Sequence, residues 1–392
     1  MDRITRLNHP PEVALPADNR PLVAPIHQSV KFEFETVEQT VRNWRGERPG
    51  FNYSRSANPT TRQLELTLAQ LQCRDDAIVC ASGVGAIAQT LLSLTRQGDH
   101  VLCFVELYGP TRSLVRRVLG KFGVTHSLLS VLDLGGIERE LQARPTRLLI
   151  FESPTNPMNR VADIAAITRL ARRHGALTVL DNTLAGPHQH GQYEIDYFLH
   201  SLTKFAAGHG DVMGGAVIAE AALIKALRPD FSLLGGVLDP HAAFLIQRGL
   251  KTYGVRYRQQ SASALQVAAF LAAQPEVACV HYPGLATHPG HAVAAAQMSE
   301  FGAVVTLDLH AGAEAGRTFT EALELFALTA SLGSTDSLVL PPQLLGSRDL
   351  DADQQRAAGL GPGTVRLSIG LESPHDLLAD LRQALDRISP AA

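Results

Sequence analysis

The chain has 392 residues, 45% of them hydrophobic and 19% charged, which is typical of a globular protein large enough for two domains. Its formal net charge of −3 gives no electrostatic basis for binding nucleic acid or an anionic membrane. No apolar run has transmembrane length, and MDRITRLNHPPEV lacks the apolar core of a signal peptide, so we expect neither a membrane span nor secretion.

The cysteines and histidines do not form a recognisable metal or disulfide pattern. The four cysteines include no CxxC pair, and we expect reduced, mostly buried thiols in a cytoplasmic protein. His188 and His190 are the nearest approach to a ligand pair, and with no third ligand in view we expect no metal.

Three regions follow one another along the chain. Residues 1–58 are irregular and proline-bearing, with one helical candidate at VEQTVRNW, and they predict an arm that packs on a neighbouring subunit. In residues 59–245, helical segments such as TTRQLELTLAQL alternate with strand-like segments such as AIVCA, HVLCFV, RLLIFE and LTVLD. This alternation predicts an α/β domain, with a mostly parallel sheet and helices on both faces. Residues 246–392 predict a smaller C-terminal α+β domain that ends in the helix PHDLLADLRQALDRI.

Polar side chains follow four of the predicted strands. They are Ser82 and Gly83 after AIVCA, Glu152 after RLLIF, Asp181 after LTVL, and the segment 201–204 after YFL. Because ligands of such sheets bind at the carboxyl ends of the strands, the sequence predicts one shared pocket.

The glycine-rich turn ASGVGAIA has two interpretations. A turn between a strand and a helix binds anions through free backbone N–H groups. Gly83, Gly85 and Ala88 also match a dinucleotide fingerprint, with Glu106 at the spacing of a ribose-binding acid, as in an NAD-dependent oxidoreductase. The second interpretation leaves the lysine segment HSLTKFAAGHGDVMGG without a role.

That lysine segment suits a phosphate and a carbonyl. If it is extended, Ser201 and Thr203 share one face and Lys204 points away from them. The alternative is a lysine that ends a strand in solvent. Asp181 is either a turn cap or the partner of a protonated heteroaromatic nitrogen. A phosphate-binding backbone, two hydroxyls, an aspartate and a lysine together describe pyridoxal 5′-phosphate (PLP), held as a Schiff base by Lys204.

Several segments resemble the Cys/Met-metabolism family of PLP enzymes, in order from about residue 22 to residue 385. They are YSRSANPTTRQLE, YGPT, ESPTNP, VLDNT, HSLTKFAAGHGDVMGG, RGLKT, YPGLATHPGH and SLGSTDSL…VRLSIGLE. The family contains cystathionine β- and γ-lyases, cystathionine γ-synthases, methionine γ-lyases and homoserine sulfhydrylases. The resemblance implies fold type I and a homotetramer, a dimer of dimers whose active sites are shared between subunits.

The resemblance also implies roles for individual residues. It implies that Lys204 forms the Schiff base and that Tyr108 stacks on the cofactor and serves as a catalytic acid/base. The implied cofactor ligands are Gly83, Val84, Ser201 and Thr203 at the phosphate, Asp181 and Thr183 at the ring, and Tyr53 and Arg55 at the neighbouring subunit's phosphate. The implied substrate ligands are Asn156 and Arg366 at the α-carboxylate, with Ser331 in the pocket wall.

The resemblance favours a PLP-dependent carbon–sulfur lyase that cleaves cystathionine or a related sulfur amino acid by β- or γ-elimination. The alternative is a γ-replacement enzyme, either a cystathionine γ-synthase or an O-acylhomoserine sulfhydrylase. The distant alternative is the NAD-dependent oxidoreductase that residues 81–106 would serve. An inactive PLP-binding relative is a further alternative, disfavoured because the lysine, the aspartate and the arginine are all present. Ser113 stands where some relatives have an arginine, and Arg112 precedes it by one residue, about 100° around a helix, so a distal-carboxylate role is not transferred to Arg112.

Overall fold

The computed structural model describes residues 18–345 and 349–388. The segment inspected for a signal peptide, the first part of the predicted arm, the middle of PPQLLGSRD and the last four residues lie outside the described residues. Among the described residues, no helix combines the length and apolar character needed to cross a membrane.

The described part of the arm is largely exposed. Its predicted helix is confirmed as α1 (Val37–Trp44), which Thr36 caps by accepting a hydrogen bond from the N–H of Gln39. None of the α1 residues is buried, and Trp44 keeps 77% of its surface exposed. The rest of the described chain therefore leaves this helix uncovered.

A seven-stranded sheet forms the centre of the larger unit. Its strands are β1 (Asp76–Cys80), β2 (His100–Phe104), β3 (Thr125–Leu129), β4 (Leu148–Glu152), β5 (Leu177–Asp181), β6 (Tyr197–Ser201) and β7 (Gly215–Ala219). They lie in the order β1-β7-β6-β5-β4-β2-β3. The predicted α/β class and mostly parallel sheet are confirmed.

One strand runs against the others, which the sequence pattern did not indicate. β7 pairs antiparallel with both β6 and β1. No helix lies between β6 and β7, and a connection without a crossover element returns the chain in the opposite direction.

Helices cover both faces of this sheet. They are α2 (Pro59–Leu71), α3 (Gly83–Leu94), α4 (Gly109–Arg117), α5 (Leu134–Ala143), α6 (Ile164–Arg173) and α7 (Ala221–Leu234). Side chains alternate along each strand, so Leu102 joins one apolar cluster and Val101 joins another on the opposite face. The two clusters form the core of this unit on either side of the sheet.

The strand order contradicts the dinucleotide interpretation. In that fold the glycine-rich turn and the ribose-binding acid follow neighbouring strands. Here β1 and β2 are separated by four strands. Glu106 is also occupied, because it forms an ion pair with Arg160 and accepts the N–H of Val131.

A second, five-stranded sheet carries the C-terminal part. Its strands are β8 (Val277–His281), β9 (Val304–Leu309), β10 (Ala327–Leu328), β11 (Leu338–Leu340) and β12 (Thr364–Ser368), in the order β10-β11-β12-β9-β8. The helices are α8 (Pro240–Ala272), α9 (His291–Gln297), α10 (Gly312–Ala322), α11 (Pro342–Leu345), α12 (Ala352–Ala358) and α13 (Pro374–Leu385). The expected boundary between residues 245 and 246 falls inside α8, whose later turns pack on this sheet.

The prediction of mostly buried thiols is wrong for half of the cysteines. Cys80 and Cys103 are buried, but Cys73 and Cys279 are exposed, and all four are free. Cys73 lies in the turn after α2, and Cys279 lies on the edge strand β8. The described residues contain no group of His, Cys, Asp and Glu side chains that could hold a metal ion.

Candidate active site

The four polar clusters that follow β1, β4, β5 and β6 line one cavity of about 1070 Å³. These strands point in the same direction, so their carboxyl ends meet at the same edge of the sheet. Other residues of the lining come from α4 and from the C-terminal part, including Ser331 and Arg366.

The glycine-rich turn begins α3 and forms one end of the cavity. Ser82 caps the helix by accepting the N–H of Gly85, so the preceding N–H groups, those of Gly83 and Val84, lie before the first intrahelical hydrogen bond. A Cβ atom on Gly83 would lie 2.7 Å from the Cβ of Ser201. Glycine is therefore required for the turn to approach β6 this closely.

The prediction that Lys204 points away from Ser201 and Thr203 is wrong. β6 ends at Ser201 and the chain turns over the next six residues, so all three side chains line the same cavity. Thr203 Oγ1 accepts the N–H of Gly214, which closes the loop back toward β7.

Lys204 is held inside the cavity, not in solvent. Its Nζ donates a hydrogen bond of 2.6 Å to Ser331 Oγ. Burial, together with the positive charge of Arg366, lowers the pKa of Lys204 to about 8. At pH 7 about a tenth of this amine is therefore unprotonated, far more than of an ordinary lysine, and that fraction is able to act as a nucleophile or a base.

Asp181 is a buried carboxylate at the end of β5. Its Oδ1 accepts hydrogen bonds from the backbone N–H and the hydroxyl of Thr183, at 3.1 and 2.6 Å. Burial raises the pKa of Asp181 despite these two donors. Across residues 18–345 and 349–388, no Lys, Arg or His side chain forms an ion pair with it. The turn-cap interpretation is confirmed. Asp181 also lines the cavity, where the partnership with a heteroaromatic nitrogen stays a prediction.

Arg366 links the second sheet to the loop after β4. Nη1 donates to Asn156 Oδ1 at 2.9 Å, and Nη2 donates to the carbonyl of Ser331 at 2.6 Å. Burial lowers the pKa of Arg366 to about 10. Its Nε is buried and has no partner among the described residues, and the side chain lines the cavity. A guanidinium in such a position suits a carboxylate.

Tyr108 stands at the start of α4 with 40% of its surface exposed. Burial of the phenol raises its pKa, and the nearby carboxylates Glu152 and Asp181 raise it further. Sequence reasoning placed Glu152 at a strand end but gave it no role in the site. Its two oxygens accept backbone N–H groups, a contact that no sequence pattern records.

Tyr53 and Arg55 are the predicted site residues that the fold does not bring to this cavity. Both are absent from its lining, and the Arg55 guanidinium lies over the Tyr53 ring at 5.6 Å. Their position in the arm is compatible with the expected contact to a second subunit, which a single chain does not test.

Arg112 lines the outer part of the cavity but is occupied by the protein. Nε and Nη2 each donate to the carboxylate of Asp349 at 2.9 Å, and Nη1 donates to the carbonyl of Val105. This arrangement is consistent with the expectation that Arg112 has no distal-carboxylate role. Ser113 is half-buried and also lines the cavity.

The residues present fit PLP. The close glycine turn and two hydroxyls suit a phosphate, and the amine of Lys204, with its lowered pKa, suits an aldehyde. Asp181, buried without a cation, suits a pyridinium nitrogen. The phosphate, the aldehyde and the pyridinium nitrogen of PLP would each meet a matching group of the protein in this cavity.

The chain matches the family model described as "Cys/Met metabolism PLP-dependent enzyme" over residues 13–386. It is 41% identical to an L-methionine gamma-lyase of Pseudomonas putida, over 93% of this chain and 92% of that protein. It is 36% identical to a cystathionine beta-lyase of Lactococcus lactis subsp. cremoris, over 88% and 91%.

Among solved structures, the chain resembles cystathionine gamma synthase from Xanthomonas oryzae pv. oryzae in complex with aminoacrylate and cysteine. The TM-score is 0.88 at 36% sequence identity, and the match covers 93% of each chain. The three similar proteins carry three different names, although the similarity extends over most of each chain.

Proposed function

Because the chain belongs to the Cys/Met-metabolism family of PLP-dependent enzymes, we propose that it is a carbon–sulfur lyase. Its substrate is cystathionine or a related sulfur amino acid, cleaved by β- or γ-elimination. A γ-replacement reaction is the second candidate, supported by the similarity to the Xanthomonas cystathionine gamma synthase.

One observation carries the proposal: three groups needed for amino-acid chemistry line the same cavity. Lys204 supplies an amine, Asp181 supplies a buried carboxylate, and Arg366 supplies a guanidinium. The first two suit the cofactor, and the third suits the α-carboxylate of an amino acid.

PLP bound here would hold the substrate through its amino nitrogen and would act as an electron sink for the neighbouring Cα. Arg366 and Asn156 hold the substrate carboxylate and thereby orient its Cα–H bond. Lys204 accepts the Cα proton, for which its pKa of about 8 is suited. Tyr108, whose phenol lies in the same cavity with a raised pKa, donates a proton to the departing sulfur.

The remaining residues are assigned to the cofactor. Gly83 and Val84 with Ser201 and Thr203 hold the phosphate. Thr183 supports the ring side by donating its hydroxyl to Asp181. Ser331 holds the Lys204 amine in the cavity.

We also propose an arm (residues 1–58), a PLP-binding domain (59–245) and a C-terminal domain (246–392) in a cytoplasmic homotetramer. Exposed Tyr53 and the uncovered α1 helix support docking of the arm on a second copy. In this arrangement Tyr53 and Arg55 reach the phosphate site of the neighbouring subunit.

The direct test is a product assay with cystathionine. Pyruvate with homocysteine identifies β-elimination, and 2-oxobutyrate with cysteine identifies γ-elimination. If neither forms, and cystathionine appears from cysteine and an O-acylhomoserine, the γ-replacement candidate replaces the lyase. The absence of all these products, and of 2-oxobutyrate from methionine, would contradict both candidates.

Shared sites are tested by mixing two inactive variants, Lys204→Ala and Arg55→Ala. Mixed assemblies contain some sites with both residues intact, so partial activity returns if Arg55 acts in the neighbouring subunit. Light scattering of the wild-type protein gives the number of subunits. Activity that does not return in confirmed mixed assemblies contradicts the sharing.

A further inference from the structure

Glu152 is a buried carboxylate that joins two separate loops of the site. It ends β4, with only 3% of its surface exposed. Its Oε2 accepts the backbone N–H of Tyr108, and its Oε1 accepts the backbone N–H of Asn156, both at 3.1 Å. One side chain therefore joins the backbone at Tyr108 to the backbone at Asn156. These two residues are 48 positions apart in the sequence.

A second carboxylate lies directly beside it. β4 and β5 are parallel, and Glu152 is the register partner of Asp181. Residues paired in this way point to the same face of the sheet. Burial and the charge of Asp181 raise the pKa of Glu152 well above its ordinary value. Burying two neighbouring carboxyl groups costs free energy, because each loses its hydrogen bonds to water. Each therefore needs hydrogen-bond donors from the protein.

The two carboxyl groups find those contacts in different places. Asp181 takes its donors from its own turn, through Thr183. Glu152 takes its donors from the residues that begin two functional segments. Tyr108 precedes α4, and Asn156 accepts a hydrogen bond from Arg366. The side chain that orders both segments lies on a central, fully buried strand, which is the most rigid support available.

We propose that Glu152 is a positioning residue that sets the distance between the Tyr108 phenol and the Asn156–Arg366 carboxylate site. The assignment rests on the proposed function, because that function gives the two segments their roles. Glu152 acts through Tyr108 and Asn156 and not by contact with the substrate.

The C-terminal part contains a matched structural case. Asp380 is buried, with 6% of its surface exposed, and its two oxygens accept the N–H groups of Glu324 and Leu325 at 2.9 Å. Both donors belong to one loop, and Asp380 is absent from the cavity lining. Asp380→Asn is therefore the control for losing one buried carboxylate–amide contact.

The main test is Glu152→Gln. An amide has one acceptor oxygen, so its NH₂ group must face one of the two backbone N–H donors and displace that segment. We expect kcat/KM to fall by up to about 10²-fold, the cost of misplacing a reacting group by about 1 Å, with an increase in KM. Asp380→Asn should lower the melting temperature and leave KM unchanged.

The pH dependence of the reaction rate provides a measurement that a loss of stability alone does not change. Glu152, Asp181 and Arg366 are the charged groups that face Tyr108, and the Glu152 charge raises the pKa of its phenol. One limb of the pH–rate profile should be absent in Tyr108→Phe and is therefore assigned to Tyr108. Removing the Glu152 charge should shift this limb to lower pH. Asp380→Asn should leave the limb in place. Unchanged KM and pH profile in a folded Glu152→Gln protein would overturn the proposal.

Two further measurements keep the result interpretable. If Glu152→Gln does not fold, Glu152→Asp retains both oxygens on a shorter side chain, and an increase in KM with normal melting supports positioning. If the wild-type enzyme cleaves no sulfur amino acid, the proposed function fails. The positioning role is then read from binding of L-norleucine, which lacks the sulfur, by the visible absorption of the bound cofactor. Equal affinity in wild type and Glu152→Gln would contradict it.

Discussion

The inner and outer halves of the cavity are formed by different structural elements. The inner half consists of strand ends and short turns, where Asp181 and Glu152 are buried, Lys204 is half-buried, and all three are hydrogen-bonded within the site. The outer half is formed by α4 and the turn after it, together with part of the C-terminal region. Its lining includes Ser113, Arg116, Arg117, Lys121, Leu344, Leu345, Asp349 and Leu350.

Two long-range contacts with Asp349 join the two sides of the outer half: the carboxylate pairs with Arg112, and the carbonyl accepts a hydrogen bond of 2.9 Å from Arg116 Nη1. Arg112 and Asp349 are 237 positions apart and form a bidentate ion pair with side chains 7% and 14% exposed. The three other cations on this wall, Arg116, Arg117 and Lys121, are exposed. The inner half carries the groups suited to amino-acid chemistry, whereas the outer half carries none of them.

The largest effect is expected at the inner half. Lys204→Ala removes the amine that binds the cofactor and accepts the proton, so turnover should fall about 10⁴-fold, the upper range for one acid–base group. The visible absorption of the bound cofactor should also be lost. Lys225→Ala, on the exposed side of α7, is the control and should retain both. Retained absorption and turnover in Lys204→Ala would remove the basis of the site assignment.

Arg366→Lys should weaken substrate binding by roughly 10²-fold in KM, because a charge-assisted hydrogen bond contributes about 1.5–3 kcal/mol and lysine cannot bind a carboxylate through two parallel bonds. Steady-state kinetics measures this. Arg382→Lys, which alters a pair with Glu276 outside the cavity, should leave KM unchanged. A normal KM in Arg366→Lys would show that the carboxylate binds elsewhere.

Cofactor capture by the apoprotein should depend on pH. The Lys204 amine must be unprotonated to attack an aldehyde, and burial with the Arg366 charge lowers its pKa to about 8. The rate at which visible absorption develops after PLP is added should therefore fall about tenfold per pH unit below that value. Arg366→Met removes the positive charge, raises the pKa of Lys204 and should move this limb to higher pH. Arg366→Lys keeps the charge and should not. A limb unaffected by Arg366→Met would contradict this coupling.

The smallest effect is expected at the outer half. Asp349→Asn weakens the contact between α4 and the C-terminal wall, so the cavity should admit longer side chains more easily. The ratio of kcat/KM for cystathionine to kcat/KM for methionine should rise by about tenfold or less. Asp353→Asn alters an exposed ion pair with Arg356 and is the control. An equal change for both substrates would mean that the wall does not discriminate by length.

Much of the inner half could be predicted from the sequence because its signals are local. The strand-like segments that end at Asp181 and Ser201 predicted which edge of the sheet forms the binding site. The glycine-rich sequence predicted a turn at the start of a helix. The extended geometry assumed for Lys204 was wrong, since no local pattern indicated that the chain turns directly after Ser201. The antiparallel strand β7 was missed for a similar reason, because its direction follows from the missing helix between β6 and β7.

The sequence by itself determined the α/β class, the family and the residue types that suit PLP. Each rests on short segments whose chemistry and periodicity can be read without knowing what lies nearby. The tertiary structure alone decided that Ser331 holds Lys204, that Arg112 is paired with Asp349, and that Glu152 receives the N–H groups of Tyr108 and Asn156. The donors and acceptors of these contacts are brought together only when distant segments, some in different sheets, pack against one another. Several of the contacts also use backbone groups, which every residue carries and no sequence pattern distinguishes.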